Sequence, residues 1–397
     1  MQSNAMAIGA LASLCLICLH GLANSQGIAP LPGFVGRQGT SFTLDGKPFY
    51  VAGVNNHYLP YGSQQEVMRV LDDAVAMNAN VVRTFIQPVI GSLDGKSSPT
   101  IWNWQSTADA SNLGVRGSYM LYWDAANARM GVNDGPNGLQ RIDFLVSEAK
   151  KRHLKLIVAF LDFWPYTGGA QQMRAWYGSD DVYTFFAKDR RTVRDFKLWI
   201  KHILTRVNSI TGVAYADEPT IFAWELMNEP DIHPAWLLRA WVQEMAAYVK
   251  GFDSKHLLAT GHGNLYGKFA DLELNEIDFG TWHGYPIHNR VTPEVMNKMI
   301  GDFCAIGRKY NKPMLWEEFG WARSNPNQAE VYARWLNTVS DNPDCGGWVV
   351  WRLVSKQDSG RFPEDEHDQF DVRNDDGPLW RTLTAAAKRQ RLKIAPH

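Results

Sequence analysis

Glu229 and Glu318 are the two residues of this chain best placed to do chemistry together. Glu229 nearly closes the run Trp224-Glu225-Leu226-Met227-Asn228-Glu229-Pro230, which follows Asp217-Glu218-Pro219-Thr220-Ile221-Phe222-Ala223. Turn residues, a short apolar run and then a Pro are how a buried parallel strand and its end read. Glu318 stands in a second such run, Pro313-Met314-Leu315-Trp316-Glu317-Glu318-Phe319-Gly320. In a (β/α)8 barrel the C-terminal ends of the strands share one face, and catalytic groups sit there. Two carboxylates meeting on that face suit cleavage of a glycosidic bond: one protonates the leaving oxygen, and the other attacks the anomeric carbon or activates water. The residue types alone do not divide these tasks between the two.

Ala223-Trp224-Glu225-Leu226-Met227-Asn228-Glu229-Pro230 and Glu317-Glu318-Phe319-Gly320 resemble the acid/base and nucleophile motifs of glycoside hydrolase family 5. The stretch Arg206-Val207-Asn208-Ser209-Ile210-Thr211-Gly212-Val213-Ala214-Tyr215 is similar to the endo-β-1,4-mannanases of that family. The resemblance runs from about Phe49 to Trp351 and is poor over 88–138. It implies a retaining mechanism, with Glu229 as acid/base, Glu318 as nucleophile and their carboxyl groups about 5–5.5 Å apart. It implies that Arg83 keeps the nucleophile ionised and that Asn228 bonds the sugar 2-hydroxyl. His283 and Tyr285 stand near the nucleophile, and Trp351 forms the sugar platform. The implied partner is a β-linked polysaccharide or oligosaccharide, β-1,4-mannan first, and no cofactor or metal is needed. An exo-β-mannosidase or an endo-β-1,4-glucanase of the same family are the alternatives. A non-catalytic carbohydrate-binding barrel is the reading from another class.

Other residues around these motifs carry expectations of their own. Trp164, in Asp162-Phe163-Trp164, is a candidate second platform or a packing residue. Glu225 reads as half of a buried ion pair. Period-two alternation puts Glu317 on the opposite strand face from Glu318, pointing at the helices. The same alternation separates Trp348 from Trp351 and makes Trp348 core. Two stretches depart from the mannanase pattern, Thr260-Gly261-His262-Gly263-Asn264 and Asp231-Ile232-His233. Both are expected at the outer cleft, where they bear on sugar preference.

The elements that must position these groups alternate strand and helix. Strand-like runs fall at 51–54, 80–85, 155–161, the Asn-Glu segment, 256–260, 277–282, 313–317 and 348–351. Amphipathic stretches fall at 64–77, 139–152, 192–208, 236–250, 293–310, 328–340 and 379–391. Eight strands in βα alternation predict a TIM barrel. Asp45-Gly46 between β-formers predicts an N-terminal β-hairpin. Residues 87–138, between the second strand and the second helix, are too long for an ordinary connection and predict a functional insertion. Its Trp102, Trp104 and Trp123 are candidates for closing the cleft and favouring exo action. The acidic stretch 363–371 has no EF-hand spacing and reads as a solvated loop at the cleft rim.

Composition narrows the classes. The chain has 397 residues, 45% of them hydrophobic, and a net charge of −1, so nothing electrostatic argues for nucleic acid or an anionic membrane. Sixteen Trp and fourteen Tyr exceed ordinary core needs and suit a cleft that stacks on sugar faces. Met1-Gln2-Ser3-Asn4-Ala5 reads as a cleaved tag remnant, and Met6–Leu22 with Ala23-Asn24-Ser25 as a signal peptide. Residues 26–397 are then one catalytic domain, secreted or periplasmic, with no membrane contact once the leader is removed and an oligomeric state left open. Cys304 and Cys345 remain, as a disulfide or as two buried thiols.

Overall fold

The eight apolar runs become eight parallel strands: β1 (Val51–Asn55), β2 (Val81–Phe85), β3 (Lys155–Ala159), β4 (Ile221–Glu225), β5 (Leu257–Ala259), β6 (Gly280–Gly284), β7 (Met314–Phe319) and β8 (Cys345–Val350). The computed structural model describes residues 31–101, 110–111, 113–263, 269–363 and 368–393. The leader at 1–25, Trp102, Trp104, Asn264 and residues 364–367 of the acidic stretch lie outside the described residues. The strands are hydrogen-bonded in the order β5-β4-β3-β2-β1-β8-β7-β6. The ring closes between β5 and β6, where Asp278 N donates to Leu258 O at 2.8 Å and Leu258 N donates to Asp278 Oδ2 at 2.9 Å. This is the TIM barrel.

Helices cover the outside because their apolar stripes match the outward strand faces. Gln64–Ala76 begins at a capping box, in which Ser63 accepts from Glu66 N and Glu66 reaches back to Ser63 N. Pro293–Tyr310, Gln328–Asp341 and Pro378–Arg391 fall where the periodicity predicts them. Between β5 and β6 only the short 3-10 turn Phe269–Glu273 is formed among the described residues, since that segment has no helical stripe.

The barrel interior is divided by height. Its lower half is apolar, built from Val51, Val81, Ile157, Phe222, Leu257, Phe279, Leu315 and Val349. The hairpin plugs that end. Asp45 and Gly46 both take positive φ, 50° and 74°, as a two-residue turn of this kind requires. The strand Ser41–Leu44 then inserts Phe42 edge-on against Phe222 and Phe279, with centroids 5.1 and 5.3 Å away. A further strand, Val35–Gln38, pairs with it and was not read from the sequence. The polar groups are left for the upper half.

The described residues of the insertion include regular strands. Val89–Ser92, Leu121–Asp124 and Arg129–Val132 form a three-stranded sheet. It packs on the connection after β3, where Trp176 Nε1 donates to Ile90 O at 2.9 Å and Trp123 stacks on Trp176 at 6.2 Å. Trp123 therefore holds the insertion to the barrel and does not close the cleft. Trp348 is fully buried in β8, on the core side.

Cys304 and Cys345 form a disulfide joining Pro293–Tyr310 to β8, across 41 residues of sequence. Closing a loop of that length stabilises the fold by about 4 kcal/mol in the chain-entropy account. A Cys304→Ser, Cys345→Ser double variant should therefore melt several degrees lower with unchanged specific activity at 25 °C. An unchanged melting temperature would remove the bond from the stability of the protein. No helix among the described residues is long and apolar enough to cross a membrane.

Candidate active site

The upper half of the barrel is organised by one guanidinium. Arg83, in the middle of β2, is fully buried and every N–H has an acceptor. Nε and Nη2 donate to Glu225 at 3.0 and 2.8 Å, which is the buried ion pair expected of Glu225. Nη1 donates to Glu318 Oε1 at 2.6 Å and to Asn55 Oδ1 at 3.0 Å. The second Nη2 proton goes to Asn228 Oδ1 at 2.8 Å. Three strand ends are thus tied to β2 by a rigid fork, and the geometry of Glu318 and Asn228 follows from it.

Glu317 corrects the sequence reading. It does not face the helices. The register between β6 and β7 slips, pairing Trp282 with Trp316 but His283 with Glu318, so Glu317 is the extra residue of a bulge. The bulge breaks the alternation and turns both carboxylates inward. Glu317 Oε1 lies 3.5 Å from Arg83 Nε, and its Oε2 lies 3.4 Å from His283 Nε2.

Glu229 sits four residues beyond the hydrogen-bonded end of β4. The chain between keeps bonding to both neighbours: Asn228 N donates to Leu161 O at 2.8 Å and Glu229 N to Gly261 O at 2.8 Å. Glu229 itself takes φ 49°, a left-handed conformation unusual for a non-glycine residue and held here by those flanking bonds. Its Oε1 lies 2.5 Å from His283 Nδ1, and its Oε2 accepts from Trp164 Nε1 at 2.6 Å. Gly263 is required beside it, since a Cβ there would stand 2.4 Å from Glu229 Oε1.

Glu318 is held by three partners. Besides Arg83, Tyr285 OH donates to Oε2 at 2.6 Å, and His283 Nδ1 lies 3.3 Å from the same oxygen. One oxygen of Glu229, one of Glu318 and a His283 nitrogen all fall within 4.8 Å of one another. Asn228 is pinned at both ends of its amide, since its Nδ2 donates to Asp162 Oδ1 at 2.9 Å.

Burial and charge set the protonation states. Burial resists a charge on His283, but Glu318 and Glu229 outweigh it and push the imidazole up to about 10. Burial would raise Glu229; the His283 charge and the hydrogen bonds from His283 and Trp164 hold it below the usual carboxylate range. Glu318 is pushed up by burial against the pull of His283 and Arg83. Asp162 is raised to about 7, chiefly by burial. Tyr285 is held well above its ordinary value by burial and by Glu318, so it remains a hydrogen-bond donor. Burial and the neighbouring Glu317 push Glu225 up against the pull of Arg83.

All eight residues singled out in the sequence lie in or around this one cluster. Trp351, partly exposed at the end of β8, has its ring 6.2 Å from Phe85 and 6.1 Å from His57. Trp164 is 37% exposed, packs edge-on against Phe163 at 5.0 Å and donates to Glu229. The sequence reading missed Asn55, placed Glu317 as a structural residue facing the helices, and named Asp162 only within a stretch that is a candidate lining of the cleft. Asp162 had a signal, since it lies just past β3 as Glu229 lies just past β4.

A sequence profile described as GH family 5 beta-mannosidase-like matches residues 125–342. The chain belongs to glycoside hydrolase family 5. Mannan endo-1,4-beta-mannosidase 3 of Arabidopsis thaliana is 29% identical over 399 residues, covering 86% of this chain and 88% of its own. The endo-1,4-beta-mannanase of Rhizomucor miehei superposes with a TM-score of 0.76 at 29% identity, over 90% of this chain and 99% of that one. The endo-beta-1,4-mannanase of Thermotoga petrophila does so with a TM-score of 0.73 at 27% identity, over 88% and 78%. The family 5 match spans Glu229 and Glu318 but not Arg83 or Trp351, which join them only through the fold.

Two expectations about the rim change. His262 is not at the outer cleft: it is buried, with Nε2 3.1 Å from Asp271 Oδ2, and Gly261 before it takes φ 88° with its backbone close against Met227 O. Asp231 is exposed, 3.8 Å from His233, as a rim position requires. In the acidic stretch Asp371 is fully buried between Arg323 and Arg373, so it is a structural ion pair and not solvated loop.

Proposed function

We propose that this protein hydrolyses β-1,4-mannosidic bonds within mannan-type polysaccharides by a retaining double displacement. The observation that carries this reading is the approach of Glu229 and Glu318, with one oxygen of each inside 4.8 Å. That separation suits direct attack by one carboxylate; an inverting site holds its carboxyl groups roughly 6.5–9.5 Å apart to admit water. Glu318 is the nucleophile: Arg83 and Tyr285 occupy one lone pair on each oxygen and aim the carboxylate. Glu229 protonates the departing oxygen, then deprotonates the water that releases the sugar. Asn228, its amide locked by Arg83 and Asp162, presents its remaining N–H to the 2-hydroxyl. That hydroxyl alone separates mannose from glucose. Trp351 and Trp164 are the stacking faces.

The mannanase names of the relatives above support mannan as the glycan and internal cleavage as the mode. The Cys304–Cys345 bond supports export to an oxidising compartment, secreted or periplasmic. The test is a time course on polymeric mannan. Viscosity should fall early while mixed oligosaccharides appear. Release of single mannose units with viscosity preserved would overturn internal cleavage, and cellulose cleavage without mannan cleavage would overturn the substrate. The site also predicts that Gly263→Ala, which displaces the Glu229 carboxylate, lowers kcat on mannan by about 10²-fold. A kcat within twofold of the parent would show that Glu229 tolerates the shift.

A further inference from the structure

Carboxylates face both nitrogens of His283, and one of them, Glu317, is placed behind the ring, away from Glu229. Nδ1 lies 2.5 Å from Glu229 Oε1 and 3.3 Å from Glu318 Oε2, while Nε2 lies 3.4 Å from Glu317 Oε2. A neutral imidazole has one N–H and one lone pair. Placed here, it would aim that lone pair at a carboxylate. Only the imidazolium donates on both sides. Glu229, meanwhile, accepts on both oxygens, from His283 and from Trp164 Nε1. A carboxyl group accepting on both sides has little room for a proton of its own. In the free site the proton that an acid catalyst must deliver is therefore on the ring.

We propose that Glu317 is a positioning residue that fixes His283 as the Nε2–H tautomer and so makes Nδ1 the proton store for Glu229. The inference rests on the reading of Glu229 as acid/base. As substrate enters, the Nδ1 proton passes to Glu229 Oε1, leaving a neutral ring whose Nε2–H still points at Glu317. Glu229 gives this proton to the glycosidic oxygen as Glu318 bonds to the anomeric carbon and the C–O bond breaks. In the second half, water loses a proton to Glu229 and its oxygen displaces Glu318 from the sugar. The proton then returns to Nδ1, so none is gained or lost over the cycle. The logic is that of a carboxylate orienting a catalytic imidazole.

The groups around the ring agree with this assignment. Glu229 from beyond β4 and Glu317 and Glu318 from β7 face it directly; Arg83 on β2 bears on it through Glu317 and Glu318, and Tyr285, just past β6, through Glu318. His262, on the β5 side, is engaged by Asp271. Burial works against a charge on Glu317, but Arg83 and the hydrogen bond from His283 hold it well below the usual carboxylate range. It remains an anion when the ring needs one.

The experiment is the pH dependence of kcat/KM for E317Q and the parent, on an unactivated manno-oligosaccharide and on an activated aryl β-mannoside. Removing the Glu317 charge weakens the hold of His283 on its proton, so the proton is lost at lower pH. The alkaline limb on the oligosaccharide should move down by about one pH unit or more. On the aryl mannoside, which needs little acid assistance, the alkaline limb should stay in place. A uniform loss at every pH on both substrates, or an unmoved limb on the oligosaccharide, would overturn the proposal. Should E317Q fail to fold, 15N NMR of the parent's ring decides: both His283 nitrogens protonated at pH 7 supports the proton store, and a neutral ring defeats it. Glu229→Ala on the same substrate pair separates the two readings. If it loses only the oligosaccharide while E317Q leaves the limb unmoved, only this inference fails.

Discussion

Glu318→Ala should abolish turnover on every β-mannoside, activated or not, with a loss on the order of 10⁵-fold. Without the carboxylate no glycosyl-enzyme can form, and a better leaving group cannot substitute for an absent nucleophile. The surroundings survive the change: Arg83 keeps Glu225, Asn55 and Asn228, and loses only its 2.6 Å bond to Glu318. The variant should fold, and Glu318→Gln, which keeps the shape, should be equally inactive. Azide added to Glu318→Ala should enter from the vacated side and give the α-mannosyl azide, the inverted product. Initial rates on mannan and on an aryl mannoside check this beside a thermal melt. A folded variant within 10²-fold of the parent on either substrate would exclude Glu318 as the nucleophile.

Glu229→Ala should divide the substrates. On mannan, whose leaving sugar needs a proton, the loss should be about 10³-fold. On an activated aryl mannoside the first step should be nearly unchanged, while release of the covalent sugar slows because no base activates water. KM should fall with kcat as the intermediate accumulates. Azide needs no base and should restore turnover, giving the β-mannosyl azide with retained configuration. Parallel losses on both substrates, without rescue, would show that the two carboxylates do not divide the work in this way. The structure shows how Glu229 reaches its position: φ 49° lifts it above the barrel rim, with its oxygens held by His283 and Trp164.

Much of this site was legible in the chain because strand ends are written locally. Asn228-Glu229-Pro230 and Glu318-Phe319-Gly320 each follow a buried apolar run, and the barrel rule places such ends on one face. Arg83 was legible for the same reason. Glu317 was misread because alternation assumes an unbroken pleat, and the slip between Trp282 and His283 that breaks it involves the neighbouring strand. No feature of Trp316-Glu317-Glu318 alone signals the bulge. Trp123 was misread because an aromatic in a Gly- and Asn-rich stretch looks the same whether it closes a cleft or packs on Trp176. The inward His262 lies between two glycines whose need appears only when Met227 and Glu229 are beside them.

The sequence by itself determined the barrel, the order of its elements and the two carboxylates that meet on its upper face. Those features rest on hydrophobic period and turn chemistry, which act over a few residues. Only the tertiary structure decided how the charges are shared. Four carboxyl groups, Glu225, Glu229, Glu317 and Glu318, surround Arg83 and His283 in a buried space, and which of them stay ionised depends on distances between four different strands. Coulomb interaction acts through space and strengthens as water is excluded, so the protonation of a site assembled from residues 83 to 318 exists only once the barrel has closed.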